Sequence, residues 1–136
     1  VLCSGKVGID LDNSPFREES AAVAVVRVEQ LAPFQNSAIR AVISKFPNLR
    51  EIVWLQEEPR NMGAWTFMES RLRTLVEERV PVRYVGRPER SSPAEGSLDL
   101  HQEEQARIGA AEFAAAPPLP ATAANGQTAR VQSTGH

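Results

Sequence analysis

Little in this chain lends itself to cross-linking, chelation or insertion into a membrane. One cysteine, Cys3, and two histidines, His101 and His136, occur among 136 residues. A lone cysteine excludes an internal disulfide and a metal centre built on several thiolates. No apolar run approaches the roughly 20 residues of a membrane span, and no charged start, apolar core and cleavage site marks a signal peptide. An excess of one charge is missing too. The 15 basic and 17 acidic residues leave a formal charge of -2, which offers no electrostatic footprint for nucleic acid or an anionic membrane. Neither partner is expected, and the default setting is reducing and cytoplasmic.

What the chain does contain is strand alternating with helix. Val1 to Cys3 is apolar from the first residue, with no methionine and no lead-in turn, so the chain is expected to be a piece of something longer. Ala22 to Val28 reads as a second strand. Ile39, Val42, Ile43 and Phe46 follow at helical spacing, with Asn36 or Ser37 as N-cap and Lys45 in the last turn, where a cation suits the helix dipole. Ile52 to Leu55 is a short apolar run of the kind covered on both faces. Trp65, Met68, Leu72, Leu75 and Val76 then make one helical stripe, with Glu69 and Arg73 paired at i,i+4 on the other side. Pro81 breaks the chain, Val82 to Val85 is a fourth strand, and a last helix is expected from about Leu98 to Phe113. Between Lys6 and Ala22, Gly8 and Pro15 disturb the helical pattern, and a short helix starting at Pro15 is the reading. Strands separated by helices imply right-handed crossovers and a mainly parallel sheet covered on both sides, a three-layer α/β sandwich.

Residues 51–65, EIVWLQEEPRNMGAW, carry the densest information. An apolar strand runs into Gln56, Glu57 and Glu58, Pro59 removes a ladder donor, and Asn61, Met62 and Gly63 turn the chain into a helix at Trp65. Ligands and partners of parallel sheets gather beside strand carboxyl ends. The plainer alternative is that the two glutamates solvate a loop and favour the following helix start.

This stretch closely resembles the QEEP-x-N-Q-G-A-W run in the last domain of the thiamine-diphosphate-dependent 2-oxoglutarate dehydrogenase decarboxylating component. Other pieces resemble the same domain in the same order. They are VLCSGK at residues 1–6, VAVVRVEQLAP at 23–33, YVGRP at 84–88, Ser92-Pro93-Ala94 with Gly96, and His101 with Glu104 and Gln105. The resemblance covers residues 1–113 and implies a transketolase C-terminal-domain-like fold. Two departures stand out: Gly8 where the family has an aromatic, and Met62 where it has Gln. From Ala114 the composition turns to Ala, Pro, Gly, Gln, Ser and Thr, so 114–136 is expected to be a disordered Ala/Pro-rich tail.

For the intact enzyme, the resemblance implies oxidative decarboxylation of 2-oxoglutarate with thiamine diphosphate and magnesium. It also implies a homodimer and succinyl transfer to a lipoyl group on a dihydrolipoyl succinyltransferase component. The family's Gly-Asp-Gly motif for magnesium does not occur in this sequence, so the chain is expected to bind neither cofactor nor metal and to be inactive alone. His101 reads as a structural residue on an amphipathic helix. Ser4-Gly5-Lys6 lacks phosphate-loop spacing, so Lys6 is expected to pair locally. Trp54 and Trp65, without a basic groove, read as core or interface. Some members bind an acetyl-CoA effector through the glutamine matching Gln30 and arginines after the next proline. Asn36, Ser37 and Ala38 stand in the arginines' place, so Gln30 is expected to be only a loop hydrogen-bonder.

The expected role is therefore scaffold and interface, with Gln56, Glu57, Glu58, Asn61 and Trp65 as the candidate interface edge and no catalytic residues. The competing readings are the equivalent domain of another transketolase-like 2-oxo acid dehydrogenase, such as a pyruvate dehydrogenase component, and a stand-alone protein-binding module.

Overall fold

The computed structural model describes residues 1–14, 22–91 and 128–131, the last four as backbone. In chain order the elements are β1 (Leu2–Cys3), α1 (Lys6–Asp12), β2 (Val25–Val28), α2 (Asn36–Ile43), β3 (Ile52–Pro59), α3 (Trp65–Leu75), β4 (Val82–Arg87) and β5 (Thr128–Val131). The strands form one sheet in the order β4-β3-β1-β2-β5. Every neighbouring pair is parallel, as the strand–helix alternation requires.

Strand side chains alternate between two cores, and each core is roofed by helix. Leu2, Val26, Val28, Ile52, Trp54 and Val82 face Ile39 of α2 and Trp65, Met68, Leu72 and Leu75 of α3. On the opposite face Cys3, Val25, Val53, Leu55 and Val85 meet Val7 and Leu11 of α1. This is the expected three-layer arrangement. Each fully buried large apolar side chain contributes about 1.5–3 kcal/mol, and the richer α2/α3 face holds both tryptophans.

Several local expectations are corrected. A helix, α1, occupies Lys6–Asp12, where the pattern suggested none, and the short helix expected from Pro15 falls on residues 15–21, outside the described region. Gly8 is no breaker here. A Cβ at that position would stand 2.8 Å from Arg27 Cγ and 3.0 Å from Cys3 Sγ, so the missing side chain lets the helix lie close on the sheet. Pro15 disfavours helical geometry in the residue before it, and the helix closes at Asn13, whose backbone N–H and side-chain amide both donate to Ile9 O. Asn36 and Ser37 lie inside α2, and Gln35 holds the N-cap without a side-chain bond to the helix. Lys45 and Phe46 fall beyond Ile43, in tight turns that donate to Val42 O and Ile43 O, and Arg40 is the cation of the last turn. Strand β2 begins at Val25 rather than Ala22. Strand β3 does not stop at Leu55. It continues through the glutamates to Pro59, which pairs with Arg87 after a register shift.

Other expectations hold. Glu69 and Arg73 pair at 3.0 Å, and Lys6 pairs with Asp10 one turn on. The pairing with Asp10 raises the Lys6 pKa. Gln30 makes one long bond, 3.4 Å, to Ala32 O in its own loop. The helix expected near Leu98–Phe113, with His101, lies outside the described residues, as does most of 114–136. The described part of the tail departs from the expected disorder: it is β5, which lies along β2 with Val25 beside Thr128 and Val28 beside Val131. No helix among the described residues is long and apolar enough to cross a membrane.

Candidate functional site

Period-2 alternation along β3 puts Ile52, Trp54 and Gln56 on the face that α3 covers. Gln56 is the polar member of that series, and it is 2% exposed. A buried primary amide must find two donors for its oxygen and two acceptors for its nitrogen. Gln56 finds all four. Its Oε1 accepts from Trp54 Nε1 at 2.9 Å and from the backbone N–H of Trp65 at 2.8 Å. Its Nε2 donates to Met62 O at 2.8 Å and Pro59 O at 3.1 Å, with Glu58 O more distant at 3.3 Å. The amide orientation follows from chemistry, because an indole N–H and a backbone N–H can only donate.

This one side chain closes the junction between β3 and α3. The N-cap residue of α3, Ala64, has no side chain able to bond the helix. The first helical N–H, that of Trp65, takes Gln56 Oε1 instead, a cap supplied from nine residues earlier. Gly63 permits the approach. Its φ of 64° lies in the left-handed region, and a Cβ there would stand 3.0 Å from Glu58 Cβ and 3.1 Å from Gln56 Nε2.

Strand β4 supplies the other wall. The Tyr84 hydroxyl lies 2.7 Å from Arg87 O and 3.0 Å from Glu58 O, donating its single proton to one carbonyl at a time. Its ring meets Trp65 at 5.4 Å between centroids, and the Arg60 guanidinium lies 5.9 Å from its centre on the solvent side. Desolvation, with the Glu58 carboxylate as second cause, pushes the Tyr84 pKa up to about 12. Gly86 is required because a Cβ would stand 2.4 Å from the Tyr84 hydroxyl and 2.7 Å from Gln56 O. Outside this cluster, Asn61 is exposed and clasps Arg90 reciprocally, donating to its carbonyl at 2.9 Å and accepting from its N–H at 3.1 Å.

The five residues grouped by sequence as an outward edge thus occupy one junction but point two ways. Gln56 and Trp65 are internal, 2% and 3% exposed, and the Gln56 amide and the Trp65 backbone N–H find their partners within the chain. Glu58 and Asn61 are exposed and Glu57 is half-buried. Tyr84, Gly86 and Gly63 complete the unit; sequence marked Gly63 only as part of the turn into the helix, and Tyr84 and Gly86 only as members of the motif YVGRP. The signal for Gln56 was its parity with Trp54, two positions away.

Residues 1–113, which contain every member of this junction, match the 2-oxoglutarate dehydrogenase C-terminal family. The chain belongs to that family. It is 53% identical over 110 residues to the 2-oxoglutarate dehydrogenase E1 component of an Exiguobacterium species, and 51% identical over 110 residues to that of Shouchella clausii. Against the Bacillus subtilis E1 component the identity is 46% over 110 residues. In each case 79% of this chain is covered, and it spans 12% of the relative's length.

In this 2-oxoglutarate dehydrogenase C-terminal domain, the described residues do not offer a fit for thiamine diphosphate or its magnesium. Its sequence has no Gly-Asp-Gly, and among the described residues no three His, Cys, Asp or Glu side chains come together as a ligand set. The amide of Gln56 has no hydrogen-bonding capacity left for a ligand.

Proposed function

We propose that this chain is the non-catalytic C-terminal domain of a thiamine-diphosphate-dependent 2-oxoglutarate dehydrogenase E1 enzyme, and that its task is to hold a carboxylate-bearing edge against the rest of that enzyme. The intact enzyme would oxidatively decarboxylate 2-oxoglutarate with thiamine diphosphate and magnesium held elsewhere in its chain. It would work as a cytoplasmic homodimer and pass succinyl to the lipoyl group of a dihydrolipoyl succinyltransferase. The observation that supports the domain's share is the division of labour at the β3–α3 junction. Gln56 and Trp65 are consumed internally, and that fixes the backbone from which Glu57, Glu58 and Asn61 emerge at the carboxyl ends of the strands.

The test separates support from interface. Replacing Glu57 and Glu58 together by Gln removes two charges from partly exposed positions, so this chain should keep its stability to within about 1 kcal/mol. The same pair of changes in the full-length enzyme should weaken dimer association or turnover, because a charged hydrogen bond buried at an interface is costly to lose. Denaturant unfolding of the chain is compared with sedimentation and turnover of the full-length protein. An effect in neither system removes the edge from any interface. Turnover of 2-oxoglutarate by this chain alone, with both cofactors and an electron acceptor supplied, would overturn the non-catalytic assignment.

A further inference from the structure

Strand β5 lies outside the family-matched region, which ends at residue 113, yet it completes the sheet. Without it β2 would be an edge strand, and β2 is an unfavourable edge to leave bare. Val25, Val26 and Val28 are β-branched and apolar, and Val23 extends the run. A row of unpaired backbone groups on such a strand is a template for pairing with another chain. Backbone alternation specifies which groups are at stake. Val26 N–H donates to Val1 O at 2.8 Å, toward β1, so the amides of Val25 and Arg27 turn the other way, toward β5. Thr128–Val131 pairs with β2 over its whole length, with all four β2 residues in register. It is a short parallel strand, and parallel pairing is the weaker kind per residue. Its chain neighbours, Ala, Pro, Gly, Gln, Ser and Thr, give it little apolar surface to add.

We propose that Thr128–Val131 is an appended edge guard, a detachable strand whose role is to keep the β2 edge from pairing with the β2 edge or tail of a second copy of this chain. The guard is only four residues long and paired in parallel, so it can be displaced without unfolding the sheet beneath it.

The test compares the full chain with a version ending at Gln127 and with Ala129→Pro, which removes one ladder donor and leaves the tail in place. Amide exchange is read at Arg27, which faces the guard, and at Val28, which does not; sedimentation is read on the same samples. The full chain should protect Arg27. Both variants should speed Arg27 exchange by tenfold or more, leave Val28 protected, and shift the sedimenting mass to dimer or larger. Unprotected Arg27 in the full chain, or equal protection in all three, would overturn the pairing. Faster Arg27 exchange without self-association would overturn the guarding role. If the shortened chain fails to fold, Ala129→Pro decides the question by the same two readings.

Discussion

The two junctions that leave the centre of the sheet for a helix are built on opposite plans. From β1 to α1 the chain turns through Ser4 and Gly5 alone. Gly5 has φ 67° and nothing lies within 4 Å of where its Cβ would be, so the turn is a matter of local backbone freedom. From β3 to α3 the chain uses the residues between Pro59 and Trp65, and its geometry is held at a distance by Gln56, with Tyr84 bracing from β4. A junction set by one glycine is cheap to alter. One set by a buried amide with every bond filled is not, since each change strands several partners together.

Gln56→Leu should break this comparison most forcefully. Leucine fills a similar volume but leaves the indole N–H of Trp54 and the first helical N–H of α3 buried without an acceptor, and Met62 O without the amide donor, while Pro59 O keeps the Met62 N–H. Each such group costs about 1–3 kcal/mol, so a loss of about 3–5 kcal/mol in denaturant unfolding is expected. A loss under about 1 kcal/mol would mean water or a neighbour takes over and the hub is not what closes the junction.

A paired substitution sharpens the contrast. Gly5→Ala should be limited to a backbone penalty of about 1–3 kcal/mol, because φ 67° with ψ -147° is a conformation that side chains disfavour while the space around it is open. Gly63→Ala carries a similar penalty and also crowds Glu58 and Gln56, so it should be the more damaging by about 1 kcal/mol or more. It should also shift the tryptophan emission, because Trp54 and Trp65 flank the displaced amide. Equal losses with unchanged emission would make the two junctions alike.

The smallest effect is expected at Tyr84. Its pKa is raised from 10.0 to about 12 when folded, so the phenol's contribution is whole below pH 10 and is lost as pH rises toward 12. The parent chain should therefore lose stability across that window more steeply than Tyr84→Phe. Parallel pH profiles for the two would show that Tyr84 ionises as readily folded as unfolded.

Strands and the α3 stripe were legible because apolar periodicity is a property of single residues. Ile52 to Leu55 and Trp65 to Val76 announce themselves. The hub was only half legible. QEEP and G-A-W stood out as wording, but polarity suggested an outward face, and the alternation with Trp54 that turns Gln56 inward depends on the strand continuing past Leu55. Helix α1 was hidden because Gly8 reads as a weak helix former. Its value lies in contact with Arg27 and Cys3, which are distant in sequence from one another. Strand β5 was hidden for a related reason. Thr-Ala-Arg-Val has no pattern of its own and becomes a strand by lying beside β2.

The position of Cys3 makes the molecule its own gauge of opening. The thiol is fully buried on the central strand, and burial pushes its pKa up to about 11, so near neutral pH it is both shielded and protonated. A thiol reagent can reach it only when β1 is uncovered. With one cysteine per chain, each labelling event counts one excursion to an opened state. The rate of that reaction reads out, without denaturant, how often the face of the sheet under α1 is laid open.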